Sequence, residues 1–168
     1  SLLPAMLALI PRRFAEHRQE IRTKGVVLPG ARDSLKAVRE LPETVSSVVT
    51  GNLRPNAELK LAAFGLSRYL DLDVGGYASD DPDRPALVRL AQRRAGARHA
   101  VEFTRARTVI VGDSLEDVTT GQRGGAQVIG VCSGTADAEV LLEAGADLVL
   151  PDLRAPEALV EAIHRLTA

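Results

Sequence analysis

The chain has 168 residues, 45 % of them hydrophobic and 26 % charged, which is the length and apolar content of a domain with a packed core. Its formal net charge of −1 and pI near 6.3 provide no long-range field of either sign, so neither nucleic acid nor an anionic membrane is the expected partner and small molecules are. The single cysteine, Cys132, has no internal disulfide partner, in keeping with a reducing, cytoplasmic setting.

The opening apolar stretch, residues 2–10, is interrupted by Pro4 and ended by Pro11, well short of the roughly 20 residues that a membrane span needs. Arg12 and Arg13 follow this stretch, whereas a secretory signal carries its basic residues ahead of the apolar run. Residues 1–24 are helical in pattern, hold five Lys/Arg against two Glu, and contain no strand signal, so they read as a separate element with a boundary near Lys24-Gly25. Beyond that boundary, residues 25–168 alternate apolar, β-branched runs with helical patterns, the signature of βαβ units on a parallel, Rossmann-like sheet flanked by helices.

In chain order, Asp33 is the expected cap of a helix through Leu35 and Val38 that stops before Pro42. A strand over 45–50 ends in Gly51-Asn52, and a helix follows with Pro55 in its first turn and an apolar face of Leu59, Ala62, Ala63 and Leu66. A weaker strand over 72–77 leads through an acidic turn to a helix over 85–95 that Gly96 closes. The most apolar strand, 108–111, runs into Gly112-Asp113-Ser114, and a helix from Leu115 reaches Gly124-Gly125. A strand over 128–131, a helix near 136–144, a strand over 148–150 and an amphipathic helix from Pro156 complete the pattern.

Open parallel sheets bind ligands outside the carboxyl ends of their strands. Two of those ends are polar. Val48-Val49-Thr50-Gly51-Asn52 offers a hydroxyl, a glycine, a carboxamide and the amides of a helix start, a set suited to a phosphate oxygen. Val111-Gly112-Asp113 offers a carboxylate, a hard oxygen ligand of the kind Mg²⁺ takes beside a substrate phosphate.

These two runs resemble the second and fourth motifs of haloacid-dehalogenase (HAD)-type hydrolases: an apolar strand ending in Thr or Ser, and hhhGDxxxD at Val109 to Asp117. The third motif, a cation at a helix start, falls on Arg84, where the family more often carries lysine; arginine keeps the charge but presents a planar fork. The resemblance spans residues 26–153, and its motif intervals are similar to those of phosphoglycolate-phosphatase-like members. It implies a HAD-like α/β core, with residues 1–24 as the remnant of a helical cap. It implies further that Thr50, Gly51, Asn52 and Arg84 bind the phosphoryl group of a small phosphorylated substrate, with Thr50, Arg84 and Asp113 in the catalytic machinery, and that Asp113 and Asp117 hold Mg²⁺.

The first motif, an apolar strand running into DxDGT that supplies the nucleophilic aspartate, has no copy in the 168 residues. Asp71-Leu72-Asp73 has the DxD spacing but neither a buried strand before it nor Gly-Thr after it. The family's first strand lies between those ending at Thr50 and Asp113, so the expectation is a longer natural protein, or a homodimer, that completes the sheet, and no hydrolysis by these residues alone. Rival readings are an inactive HAD-like fragment or binding protein, a metal-independent 2-haloacid dehalogenase, and a nucleotide-binding regulator, for which no G-x-G-x-x-G follows a strand. Blander roles compete as well. Ser114-Leu115-Glu116-Asp117 resembles a capping box, His17, His99 and His164 read as surface residues, Cys132 as a packed strand end, and the arginines of 89–107 as a solvated face.

Overall fold

The computed structural model describes residues 25–132 and 136–168; the expected cap remnant, residues 1–24, lies outside them. Five parallel strands fall into two groups: β1 (Val49–Thr50) pairs with β2 (Gly76–Tyr77), and β3 (Val109–Gly112), β4 (Gln127–Val131) and β5 (Leu148–Leu150) form a sheet in that order. The helices are α1 (Ala31–Arg39), α2 (Arg54–Ala63), α3 (Arg84–His99), α4 (Leu115–Gly124), α5 (Ala138–Glu143) and α6 (Pro156–Thr167).

Alternation along the three-stranded sheet builds a core on each face. Ile110, Val128 and Val149 point to one side and pack with Val118 of α4 and Leu141 of α5. Val109, Ile129, Leu148 and Leu150 point to the other, where Leu159, Ala162, Ile163 and Leu166 of α6 and Val38 of α1 cover them. The result is the expected α/β sandwich. Leu87 and Val88, successive residues of α3, are both buried and serve different neighbours. A Cβ on Gly76 of β2 would lie 2.4 Å from the Leu87 carbonyl oxygen, and one on Gly124 of α4 would lie 2.6 Å from the Val88 Cβ. Both glycines therefore permit close approach, and α3 packs on the two-stranded group and on α4 at once.

Several boundaries depart from the sequence reading, each for a local reason. Only Val49–Thr50 of the run 45–50 is paired, since its partner β2 is itself two residues long. Residues 72–74 form a 3₁₀ turn, because the Asp71 carboxylate accepts the Asp73 N–H at 3.1 Å and caps that turn in place of a strand ladder. Asp33 lies inside the first turn of α1, whose N-cap is Gly30 with a positive φ of 84°. There a Cβ would overlap the Leu153 carbonyl, so only glycine fits beneath the loop leading to α6. Gly96 does not close α3, which continues to His99 and ends at Ala100 in the left-handed region. The glycine instead admits the returning chain, since a Cβ there would sit 2.9 Å from the Val101 carbonyl oxygen.

Candidate active site

Thr50 is the last residue of β1, and its hydroxyl oxygen accepts two hydrogen bonds from Asn52, one from the backbone N–H at 3.1 Å and one from the side-chain Nδ2 at 2.9 Å. The Asn52 Oδ1 in turn accepts from Lys60 Nζ at 3.2 Å. The carboxamide expected to meet substrate is thus already engaged in holding Thr50. Gly51, between them, is exposed.

The second polar strand end is built around Gly112. Ser114 caps α4, its hydroxyl accepting the Asp117 N–H at 3.2 Å and donating to Asp117 Oδ2 at 2.8 Å. Asp117 is therefore engaged by the N-cap of α4, as the capping reading expects. A Cβ on Gly112 would lie 2.4 Å from the Asp117 Cβ and 2.7 Å from its Oδ2, so the absence of a side chain there lets the carboxylate fold back over the end of β3. Asp113 is half-buried, and its carboxylate has no hydrogen-bond or ion-pair partner among the described residues.

Arg84 joins the two loops. It is the first residue of α3, and its Nη2 pairs with Asp117 Oδ1 at 3.2 Å while its Nη1 pairs with Glu116 Oε2 at 2.5 Å. Its Cδ and Nε lie 3.9 Å from where a Gly51 Cβ would be, which brings the guanidinium stem against the loop after β1. The Nε is buried and has no hydrogen-bond partner among the described residues. Both polar strand ends thus meet at one arginine, and a buried donor remains open there, a feature native interiors rarely leave without a use.

Among the described residues no group of three or more His, Cys, Asp or Glu is arranged to hold a metal ion. What is present is the Asp113 carboxylate, unpartnered among the described residues, and the Asp117 carboxylate, already bound to Ser114 and Arg84. Such oxygen donors fit Mg²⁺, which binds through one or two carboxylates and completes its shell with water and phosphate. They would make a poor site for a softer metal.

Several other charged residues are tethers. Arg94 forks onto both oxygens of Asp80 at 2.8 and 2.9 Å and also donates to the Gly75 carbonyl. That fork, together with the Tyr77 N–H, holds the Asp80 carboxyl below its ordinary range. Arg54 pairs with Glu58 and Asp73, and Arg105 with Asp147 and the Ala126 carbonyl. The arginines of 89–107 are therefore more than a solvated face: several of them fasten turns to the sheet. Asp71 and Asp73 pair with Arg98, far from the role of a displaced nucleophile. His99 and His164 are exposed, and Cys132 packs at the edge of one core. Lys60, Glu116 and the fully buried Tyr77, whose hydroxyl donates to the Leu72 carbonyl at 2.6 Å, were not singled out by sequence reasoning.

A hydroxyl, a cation and two carboxylates thus lie at the carboxyl ends of parallel strands, where open α/β sheets bind their ligands. The model of the haloacid dehalogenase-like hydrolase family matches residues 1–122. The chain is 31 % identical over 159 residues to the plasmid-borne phosphoglycolate phosphatase of Cupriavidus necator, covering 92 % of this chain and 63 % of that protein. It is 29 % identical over 130 residues to a Dickeya dadantii protein named probable phosphatase IndB, covering 76 % of this chain and 54 % of that one. The crystal structure of a hydrolase from Pseudomonas syringae superimposes with a TM-score of 0.68 at 22 % identity, over 93 % of this chain and 71 % of that one. The chain belongs to the haloacid dehalogenase-like hydrolase family. It spans between about half and two thirds of the length of these two curated relatives.

Proposed function

We propose that this chain forms the phosphate- and cation-binding part of a Mg²⁺-dependent phosphatase acting on a small phosphate monoester. The observation that carries the reading is Arg84, which ties the Thr50-Gly51 loop to the Asp113–Asp117 loop around one open donor. Phosphoryl transfer is catalysed mainly by positioning and by offsetting charge on the phosphoryl oxygens, and this rim is equipped for both. The Thr50 hydroxyl and the Gly51 N–H would orient the phosphoryl group, and Arg84 would neutralise it. Asp113, supported by Asp117, would hold Mg²⁺, which when bound adds positive charge beside the phosphoryl oxygens.

The nucleophile in this reading is an aspartate carboxylate carried by a segment outside these 168 residues, on which an aspartyl-phosphate forms before water releases phosphate. The two curated relatives are a phosphoglycolate phosphatase and a probable phosphatase, which favours a small acidic phosphate monoester such as phosphoglycolate over a haloacid. A carboxylate left unpartnered at the strand end also favours a cation-dependent reaction over metal-independent dehalogenation. The test is release of phosphate from phosphoglycolate by the chain joined to a preceding strand bearing DxDGT, with and without chelator. We expect turnover that needs both the added strand and Mg²⁺, and a loss of about 10²–10³-fold in kcat for Arg84→Met, as for removal of a single preorganised donor. Equal turnover in chelator, or hydrolysis without the added strand, would count against the reading.

A further inference from the structure

We infer that Lys60 and Asn52 are positioning residues that make the Thr50 hydroxyl an obligatory hydrogen-bond donor toward a bound phosphoryl oxygen. This rests on the reading of the Thr50-Gly51 loop as the phosphate cradle, and extends it to residues that do not touch the substrate. A threonine hydroxyl has two acceptor lone pairs and one proton. Both acceptor positions of Thr50 are filled by Asn52, through its backbone N–H at 3.1 Å and its Nδ2 at 2.9 Å. The proton is left to point away from Asn52. Among the described residues nothing accepts it, so in this loop it is available to an anion.

This polarity depends on which way the Asn52 carboxamide faces, and Lys60 decides that. An ammonium group only donates, so the Lys60 Nζ contact at 3.2 Å requires the amide oxygen on its side and turns the amide nitrogen toward Thr50. Were the amide reversed, its oxygen would face the Thr50 hydroxyl and take the proton meant for the ligand. Lys60 is well placed for the task. It lies two turns into α2, whose first turns are anchored by the buried Asn56 and Ala57, so its position relative to the loop is set by a helix and not by the loop itself. The chain of contacts runs Lys60 to Asn52 to Thr50, every donor and acceptor in it having one permitted sense.

The experiment uses the full chain with Mg²⁺ and inorganic phosphate as the probe, its dissociation constant measured by titration calorimetry. Thr50→Val is expected to weaken phosphate binding roughly tenfold or more, the loss of one hydrogen bond to a charged group. Asn52→Asp is expected to weaken it by a similar factor, because a carboxylate offers no N–H and accepts the Thr50 proton itself. Lys60→Met should cost several-fold, since it lets the amide turn over, while Lys60→Arg restores a donor-only group and much of the affinity. In the double variant Thr50→Val/Asn52→Asp the loss should equal that of Thr50→Val alone, which a general disturbance of the loop would not produce. A second readout is independent of phosphate and of any change in folding: the side-chain amide protons of Asn52 should exchange slowly in the parent chain and faster in Lys60→Met. If Thr50→Val binds phosphate like the parent, or the parent does not bind it, the cradle reading itself fails and this inference with it. If Thr50→Val is weakened while Asn52→Asp and Lys60→Met are not, the cradle stands and the positioning role is overturned.

Discussion

At Asp80 a single carboxylate gathers three donors, two from the Arg94 fork and one from the Tyr77 N–H at 3.0 Å. The Arg94 fork is the main cause of its depressed pKa, with burial working against it. A carboxyl whose folded pKa lies below its unfolded value near 3.9 stabilises the fold fully above that value. The contribution is lost as pH falls through the folded pKa, when the proton displaces the fork. Urea midpoints measured at pH 6 and pH 3 should therefore fall further for the parent chain than for Asp80→Asn, which starts lower and has no such carboxyl left to titrate. A parent and variant that lose equal stability in acid would show that Asp80 contributes little.

The same scale shows what a sequence can disclose about a site. Thr50 and Asp113 were legible because each ends an apolar run, where the sheet presents its ligand rim. Arg84 was legible as a charge at a helix start, but not as a bridge, because its link to Asp117 spans 33 residues and depends on how α3 packs. Asn52 was read as a ligand contact, and only coordinates show its carboxamide committed to Thr50 and Lys60. Glu116 has no signature at all, since its pairing with Arg84 follows from the cap that Ser114 places one residue away.

Among the elements, α3 carries the arrangement. Its first turn holds Arg84, and its next turn sends Leu87 toward β2 and Val88 toward α4. Strands β3, β4 and β5 and helix α6 were readable from apolar runs because each is buried in a continuous core. The region 72–77 was not, since a two-residue strand between a 3₁₀ turn and an acidic turn leaves too little period to detect. The close packing of α3 on α4 makes a remote substitution informative. Gly124 has ordinary helical backbone, so Gly124→Ala carries no backbone penalty, yet the added methyl would lie 2.6 Å from the Val88 Cβ and 2.9 Å from the Pro85 carbonyl oxygen. Pushing the two helices apart should cost about 1–3 kcal/mol by urea denaturation, in the range for overpacked contacts. Because Arg84 and Asp117 sit on the separated helices, phosphate affinity should fall as well, although Gly124 is not at the rim. Unchanged phosphate binding with lowered stability would show that the Arg84–Asp117 pair tolerates the shift.

For the whole molecule the instructive feature is that β1 and β3 each pair on one side only among the described residues. No helix among those residues is long and apolar enough to cross a membrane. Val111, in the most apolar strand of the sequence, is 41 % exposed, where a strand flanked on both sides would be covered. Unpaired amides and carbonyls along such an edge are a template for another strand, and natural sheets seldom leave one uncovered. The apolar composition of β3 is that of an interior strand, and the two ends that carry Thr50 and Asp113 meet through Arg84 as they would if one further strand lay between them. Amide exchange distinguishes an edge that waits for a partner from one that is stable by itself. When a segment consisting of an apolar strand ending in DxDGT is joined ahead of the chain, amides on the open edges of β1 and β3 should exchange at least about tenfold more slowly. Those of β4, already bonded on both sides, should change little by comparison. Equal protection of β3 with and without the added strand would mean that its open edge is satisfied in some other way, and the proposed place for the nucleophile would be lost.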